Sequence, residues 1–112
     1  MPVVRRDHTF TANQIVENVV EGMPIQQVTR PSRVKLYAVC SVVANASIDL
    51  MFGSRTILTR GSPNLQATAG PTPDDLIVDD VALPGENITF RLEELVGGTA
   101  IVRYRLEKHA IR

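Results

Sequence analysis

The sequence predicts an all-β protein, an antiparallel β-sandwich in one domain, and three observations carry that expectation. Period-two alternation recurs along the chain, most clearly in Val34-Lys35-Leu36-Tyr37-Ala38-Val39-Cys40-Ser41-Val42, and again in 48–52, 88–92 and 102–106. Such alternation sends one set of side chains into a core and the other toward water or a partner. The apolar 44% is mostly Val, Ile, Leu and Ala, with 4% aromatic and no Trp, and a core of branched aliphatics suits pleated sheets. At 112 residues the chain makes one domain, which buries roughly two-thirds of its unfolded surface and needs no metal or disulfide to fold.

Taken in order, residues 1–12 are polar and mixed and read as a loose N-terminal arm with Phe10 as an anchor; residues 13–112 read as the sandwich domain. Residues 14–20 are ambiguous. Thr11 and Gln14 have capping-box spacing, and Ile15, Val16, Val19 and Val20 fit one helix face. The segment is short, β-branched and closed by Gly22-Met23-Pro24, which favours a strand, with a helix as the alternative. Ile25 to Val28 reads as a short strand ended by Arg30-Pro31, because proline lacks the backbone donor and holds its predecessor extended.

Residues 33–43 form the longest strand, and a tight connection at 44–46 returns the chain as a hairpin strand over 47–52. Gly53-Ser54 turns it into a strand over 55–60. Residues 61–75, rich in Gly, Pro and small polar residues, form the main loop. Strands follow over 76–83, 87–95 and 99–108, with a turn at Pro84-Gly85 and a hairpin at Gly97-Gly98. About eight antiparallel strands with one long cross-connection fit a single jelly roll or a related Greek-key sandwich.

Twelve basic and twelve acidic residues cancel, so no general electrostatic affinity for nucleic acid is expected. The charges are nonetheless zoned. Arg5 and Arg6 lie at the start, Asp74, Asp75, Asp79, Asp80 and Glu86 make the middle acidic, and Arg103, Arg105, Lys108 and Arg112 close the chain. Opposite zones suit head-to-tail contact between copies as well as solvated faces. Arg103 and Arg105, with Arg91 on a neighbouring outward face, read as a basic strip, but no outward aromatic is placed beside it to stack bases; Tyr104 has inward parity.

No catalytic, cofactor-binding or metal-ligating residue is assigned. Cys40, the single cysteine, has the inward parity of Val34, Leu36, Ala38 and Val42, so a buried thiol is expected rather than a nucleophile. His8 and His109 match no nucleophile or zinc spacing. The acidic run from Pro73 to Asp80 matches no EF-hand loop; on a strand Asp75 and Asp79 share one face and Asp74 and Asp80 the other, which reads as an edge charge cluster. Asn87-Ile88-Thr89 is a formal glycosylation sequon, read as coincidence because the first residues lack the apolar run of a signal peptide. No apolar stretch approaches the length of a membrane helix. The expectations are therefore no enzyme, no cofactor, no nucleic acid and no membrane partner.

The polar start, Glu17-Asn18-Val19-Val20-Glu21-Gly22, the long strand after Pro31, Pro73-Asp74-Asp75-Leu76, Leu83-Pro84-Gly85-Glu86 and the final strands around Gly97-Gly98 give the chain a further likeness. In order and punctuation, residues 14–108 resemble small single-domain jelly-roll proteins of bacteriophage particles, of the minor-capsid or capsid-decoration kind. The resemblance implies a sandwich that assembles as a homo-oligomer, a trimer being favoured, on or within a virion shell beside other capsid proteins, after synthesis in the host cytoplasm. It carries no catalytic residues. One feature of the residues agrees: Val39 and Val43 face opposite to Cys40 and Val42, and Ile101 opposes Val102, so a second apolar set asks for cover from another subunit or from loops of the same chain. The rival expectation is a binding module that recognises a glycan or receptor through residues 61–75. A cupin-like metal enzyme is disfavoured by the missing histidine cluster.

Overall fold

The computed structural model describes residues 3–11, 13–41, 46–66, 70–95 and 100–111. Its strands, in chain order, are β1 (Val3–Thr9), β2 (Ile15–Val16), β3 (Ser32–Cys40), β4 (Ala46–Phe52), β5 (Arg55–Gly61), β6 (Asn64–Leu65), β7 (Leu76–Ala82), β8 (Ile88–Glu94) and β9 (Ile101–Ala110). Among the described residues there is no α-helix, only 3₁₀ turns at Pro24–Gln26 and Pro73–Asp75. The first sheet runs β1-β9-β3, with β7 along the far edge of β3 at Ser32–Tyr37 and β6 continuing that edge at Val39–Cys40. The second sheet runs β2-β8-β4-β5. Every ladder is antiparallel except the short β3–β6 contact.

Alternation explains why these segments become strands that share a core. Val34, Leu36, Ala38 and Cys40 of β3 and Val102, Tyr104 and Leu106 of β9 point inward from the first sheet. Ile48, Leu50 and Phe52 of β4 and Ile88, Phe90 and Leu92 of β8 meet them from the second. The sheets thus make a β-sandwich-like, all-β fold with one apolar interior. Phe90 and Tyr104 join the layers directly, edge to face with ring centroids 5.0 Å apart. Burial pushes the Tyr104 hydroxyl up from its ordinary pKa.

Several expectations change. Residues 3–9 do not form a loose arm: β1 makes a seven-rung ladder with β9, from Val3 opposite Glu107 to Thr9 opposite Ile101. Its polar composition is that of an edge strand with little to bury. Phe10 is indeed an anchor, 1% exposed. The hairpins expected between 33–43 and 47–52 and between 87–95 and 99–108 do not form, because each pair is split between the two sheets. Alternation says which side of a strand meets the core and not which strand lies beside it. β3 instead matches β9 over nine rungs, Ser32–Cys40 against Val102–Ala110. Residues 42–45 and 96–99, including Gly97 and Gly98, lie outside the described residues. The turn at Gly53-Ser54 does join paired neighbours, β4 and β5, with Gly53 at φ 60°.

Residues 14–20 are neither a full strand nor a helix. Only Ile15 and Val16 pair with β8, and the Asn18 side chain then takes over the ladder. Its Oδ1 accepts from Val20 N (3.2 Å) and Phe90 N (3.1 Å), and its Nδ2 donates to Ile88 O (3.5 Å). The strand expected over 25–28 is a 3₁₀ turn, for which Pro24 presets φ, followed by a single bridge from Gln27 to Asn87. Ile25 and Val28 are buried all the same. The expected loop 61–75 is also partly built, by β6 and by the Pro73–Asp75 turn.

Candidate interaction surface

The outward face of the first sheet is assembled rung by rung. β1 contributes Val3, Arg5 and Asp7, β9 contributes Arg103, Arg105, Glu107 and His109, and β3 contributes Arg33, Lys35, Tyr37 and Val39. One rung sets Arg5, Arg105 and Tyr37 in a row; the next two are Asp7-Arg103-Val39 and Val3-Glu107-Lys35. Arg105 lies with its guanidinium carbon 5.8 Å from the Tyr37 ring centre, a cation–π arrangement. Glu107 is 6% exposed although it points outward, because Arg105 Nε (2.5 Å) and His109 Nε2 (2.9 Å) close over its carboxylate. Arg103 Nε stands 3.6 Å from Asp7. At the far side Arg33 grips both oxygens of Asp79 at 2.5 and 2.6 Å, which holds the Asp79 carboxyl below its ordinary pKa.

This face is more charged than the alternation alone implies. Val39, one of the outward apolar residues, is 1% exposed yet stands outside the main core, opposite Asn64 of β6. It is thus buried within the chain itself and does not need a second subunit to leave water. Val43 lies outside the described residues, and Ile101 is half-buried. Of the exposed large apolar side chains, Val3 of β1 and Val81, the ladder partner of Arg33, lie on this face, whereas Leu65 is on β6 and Leu83 and Ile111 lie just beyond the strand ends.

The basic strip does not form as expected. Arg103 and Arg105 are on the first sheet, whereas Arg91 is on β8 of the second. Arg91 is ringed by acids: Asp49 at 3.0 Å, Glu17 at 3.4 Å and Glu93 at 3.5 Å. The hydrogen bond to Asp49 is the main cause of its raised pKa. Arg91 and Asp49, with Met51, Thr56, Thr59 and Arg60, line an open depression of about 320 Å³ on that outer face. The Arg60 amide bonds to Asp49 Oδ1 at 2.7 Å, holding Arg60 at a positive φ of 51°.

The acidic segment is dispersed by its own turns. Pro73 starts a 3₁₀ turn, so Asp74 and Asp75 precede the strand and the expected sharing of strand faces does not apply. Asp75 closes a capping box with Thr72, accepting its amide at 2.8 Å, and takes Asn64 Nδ2 at 3.0 Å. These bonds, the Thr72 amide foremost, lower its pKa. Asp79 faces Arg33, and Asp80 Oδ1 accepts from the amide of Val81 at 2.7 Å. Among the described residues no three His, Cys, Asp or Glu converge on one point.

Cys40 is buried in the core at 2% exposure. His8 stacks edge-on with Phe10 at 5.0 Å and bonds to Gln14 Oε1 at 3.2 Å. Two features escaped the sequence. Glu94 carries the inward parity of β8 yet is 2% exposed, its Oε2 accepting the Asn13 amide at 2.9 Å. Arg55 bridges the sheets to Glu86 and to the β7 carbonyl of Val81. Long-range partners of this kind leave no mark on local spacing. Comparison with family models, with curated proteins and with solved structures finds no match to this chain.

Proposed function

We propose that this chain is a structural, non-enzymatic component of a virus or phage particle, a decoration or minor capsid protein built as a single jelly roll that associates with itself and with shell subunits. The observation that carries the reading is the nested order of pairing. With the two-residue β6 set aside, first pairs with last throughout: β1 with β9, β2 with β8, β3 with β7 and β4 with β5. A long antiparallel hairpin rolled on itself gives this order, and it supports the jelly roll expected from the spacing of the strands. Fold alone does not assign a role. The likeness to phage jelly-roll proteins supplies the particle, and the surface supplies the mode of action. The buried Cys40, with His8 and His109 engaged by Gln14 and Glu107, offers no nucleophile–base pair, whereas a sheet face that carries both signs of charge suits a partner of complementary charge.

Light scattering on the purified chain at micromolar concentration tests the reading. A closed oligomer, a trimer or another symmetric species, is the expected result. A clean monomer that does not bind shell proteins contradicts it. A second reading, recognition of a glycan or receptor by residues 61–75, draws on Leu65, which stays 58% exposed where β6 is pinned to β3. Loss of ligand binding on trimming that segment would favour it.

A further inference from the structure

The outer edges of the two sheets differ in how their backbone groups are satisfied. In the second sheet β2 is two residues long, and β5 is broken by register shifts against β4. On β7 the edge is capped: Val81 N bonds to Asp80 Oδ1 at 2.7 Å and Val81 O receives Arg55 Nη2 at 2.9 Å. Short, irregular or capped edges are the usual guards against stray pairing. β1 has none of these guards. It is seven residues long and regular, and the Phe10 amide, 2.9 Å from Ala100 O, sets the phase of its ladder. Val4, Arg6 and His8 direct their backbone groups to β9, so Val3, Arg5, Asp7 and Thr9 direct theirs to the open side. Among the described residues nothing bonds to those outward amides and carbonyls.

The guard that β1 does carry is charge, on Arg5, Arg6 and Asp7, and this charge selects one pairing. When a second β1 lies antiparallel alongside, its hydrogen-bonded rungs must join odd-numbered residues to odd-numbered residues. The register that overlaps the whole strand sets Arg5 opposite the second copy's Asp7, and symmetry repeats that pair. Val3 then faces Thr9, and Arg6 meets its own counterpart on the axis. A shift to the adjacent allowed register sets Arg5 against Arg5 or Asp7 against Asp7. Opposite charges directly across a ladder stabilise it, and like charges destabilise it.

We infer that two copies of this chain pair through their β1 edges in the full-overlap register, joining the first sheets of both into one continuous antiparallel sheet. The contact rests on the assembly reading above and gives it a surface. It is isologous, so it closes as a dimer or supplies the two-fold contact of a larger even-numbered species.

Sedimentation equilibrium of the full chain and its charge variants tests the inference, with circular dichroism to verify the fold of each. The parent sediments at twice 12.3 kDa or an even multiple of it. Arg5→Asp or Asp7→Arg alone weakens association about tenfold or more, and the two together restore it, because the cross-axis pairs are rebuilt with reversed sign. Arg6→Thr tightens association by removing the like-charge contact on the axis. A trimer, or an oligomer indifferent to both reversals, overturns the β1 contact and leaves the assembly reading standing. A monomer at every concentration overturns the β1 contact, and overturns the assembly reading with it when the chain also fails to bind shell proteins.

Discussion

Arg55 and Glu86 fasten the two sheets together along one side of the sandwich. Arg55, at the start of β5, sets Nε 2.7 Å and Nη2 2.6 Å from the two carboxylate oxygens of Glu86, while Nη2 also reaches Val81 O of β7 at 2.9 Å. Glu86 Oε1 in turn accepts the Leu83 amide at 2.7 Å, closing the turn that follows β7. The Arg55 guanidinium carbon lies 5.8 Å from the Phe52 ring centre, so the clasp rests on the rim of the core. The side of the first sheet that this clasp and Asp80 cap is opposite the side that β1 leaves open.

The clasp has a pH signature. The Arg55 guanidinium, and then the Leu83 amide, lower the Glu86 pKa from 4.5 to about 2. A carboxyl depressed by folding contributes stability that is fully present above its unfolded value and is lost as pH falls through its folded value. The urea midpoint of the parent should therefore exceed that of Glu86→Gln by a constant margin above pH 4.5, and the two curves should converge as pH falls toward about 2. A margin that persists unchanged below that window would place the effect elsewhere than in this ionisation.

Asn18 substitutes for a strand, so its loss should cost more than a surface position does. Asn18→Ala leaves the Phe90 amide without its side-chain acceptor and removes the bond to Val20 N. A decrease of about 1–3 kcal/mol in unfolding free energy is expected from urea titration. Asn18→Asp keeps the acceptor and loses only the donor to Ile88 O, so its decrease should be the smaller.

Phe90 packs against Tyr104 across the interior at 0% exposure. Phe90→Ala should destabilise by about 3–5 kcal/mol, read from the same titration, because the two layers enclose the cavity it leaves. Val39→Ala, at a buried position outside the main core cluster, should cost less than Leu36→Ala on the same strand.

Asp75 holds the 61–75 segment from two sides, by the Thr72 capping box and by Asn64. Asp75→Ala removes both contacts, and a cap of this kind is worth about 0.5–2 kcal/mol. Limited proteolysis should show faster cleavage within 61–75 while the rest of the sandwich remains resistant. Equal cleavage rates would mean that β6 alone holds the segment.

How much of this was legible in the sequence depended on range. In/out parity is a local property, so the inward faces of β3, β4, β8 and β9 and the burial of Cys40 follow from the spacing of Val, Ile, Leu and Phe. Neighbour choice is not local. Gly97-Gly98 read as a hairpin, yet β8 and β9 belong to different sheets, because β9 finds its nine-rung match in β3. Polar edge strands look like arms, which hid β1 until its ladder with β9 was seen. Parity gives the outward face of the first sheet a second apolar set, but Val39 there is buried and the character of the face comes from Arg105, Glu107 and Arg103.

Hydrogen exchange across the whole chain, measured at several protein concentrations, tests self-association most directly, since it locates any protected surface without changing a residue. Slowing that grows with concentration and centres on the amides of Arg5, Asp7 and Thr9 is the expected result, with Val4, Arg6 and His8 already slow at the lowest concentration because they bond to β9. Exchange independent of concentration at every amide would contradict the account.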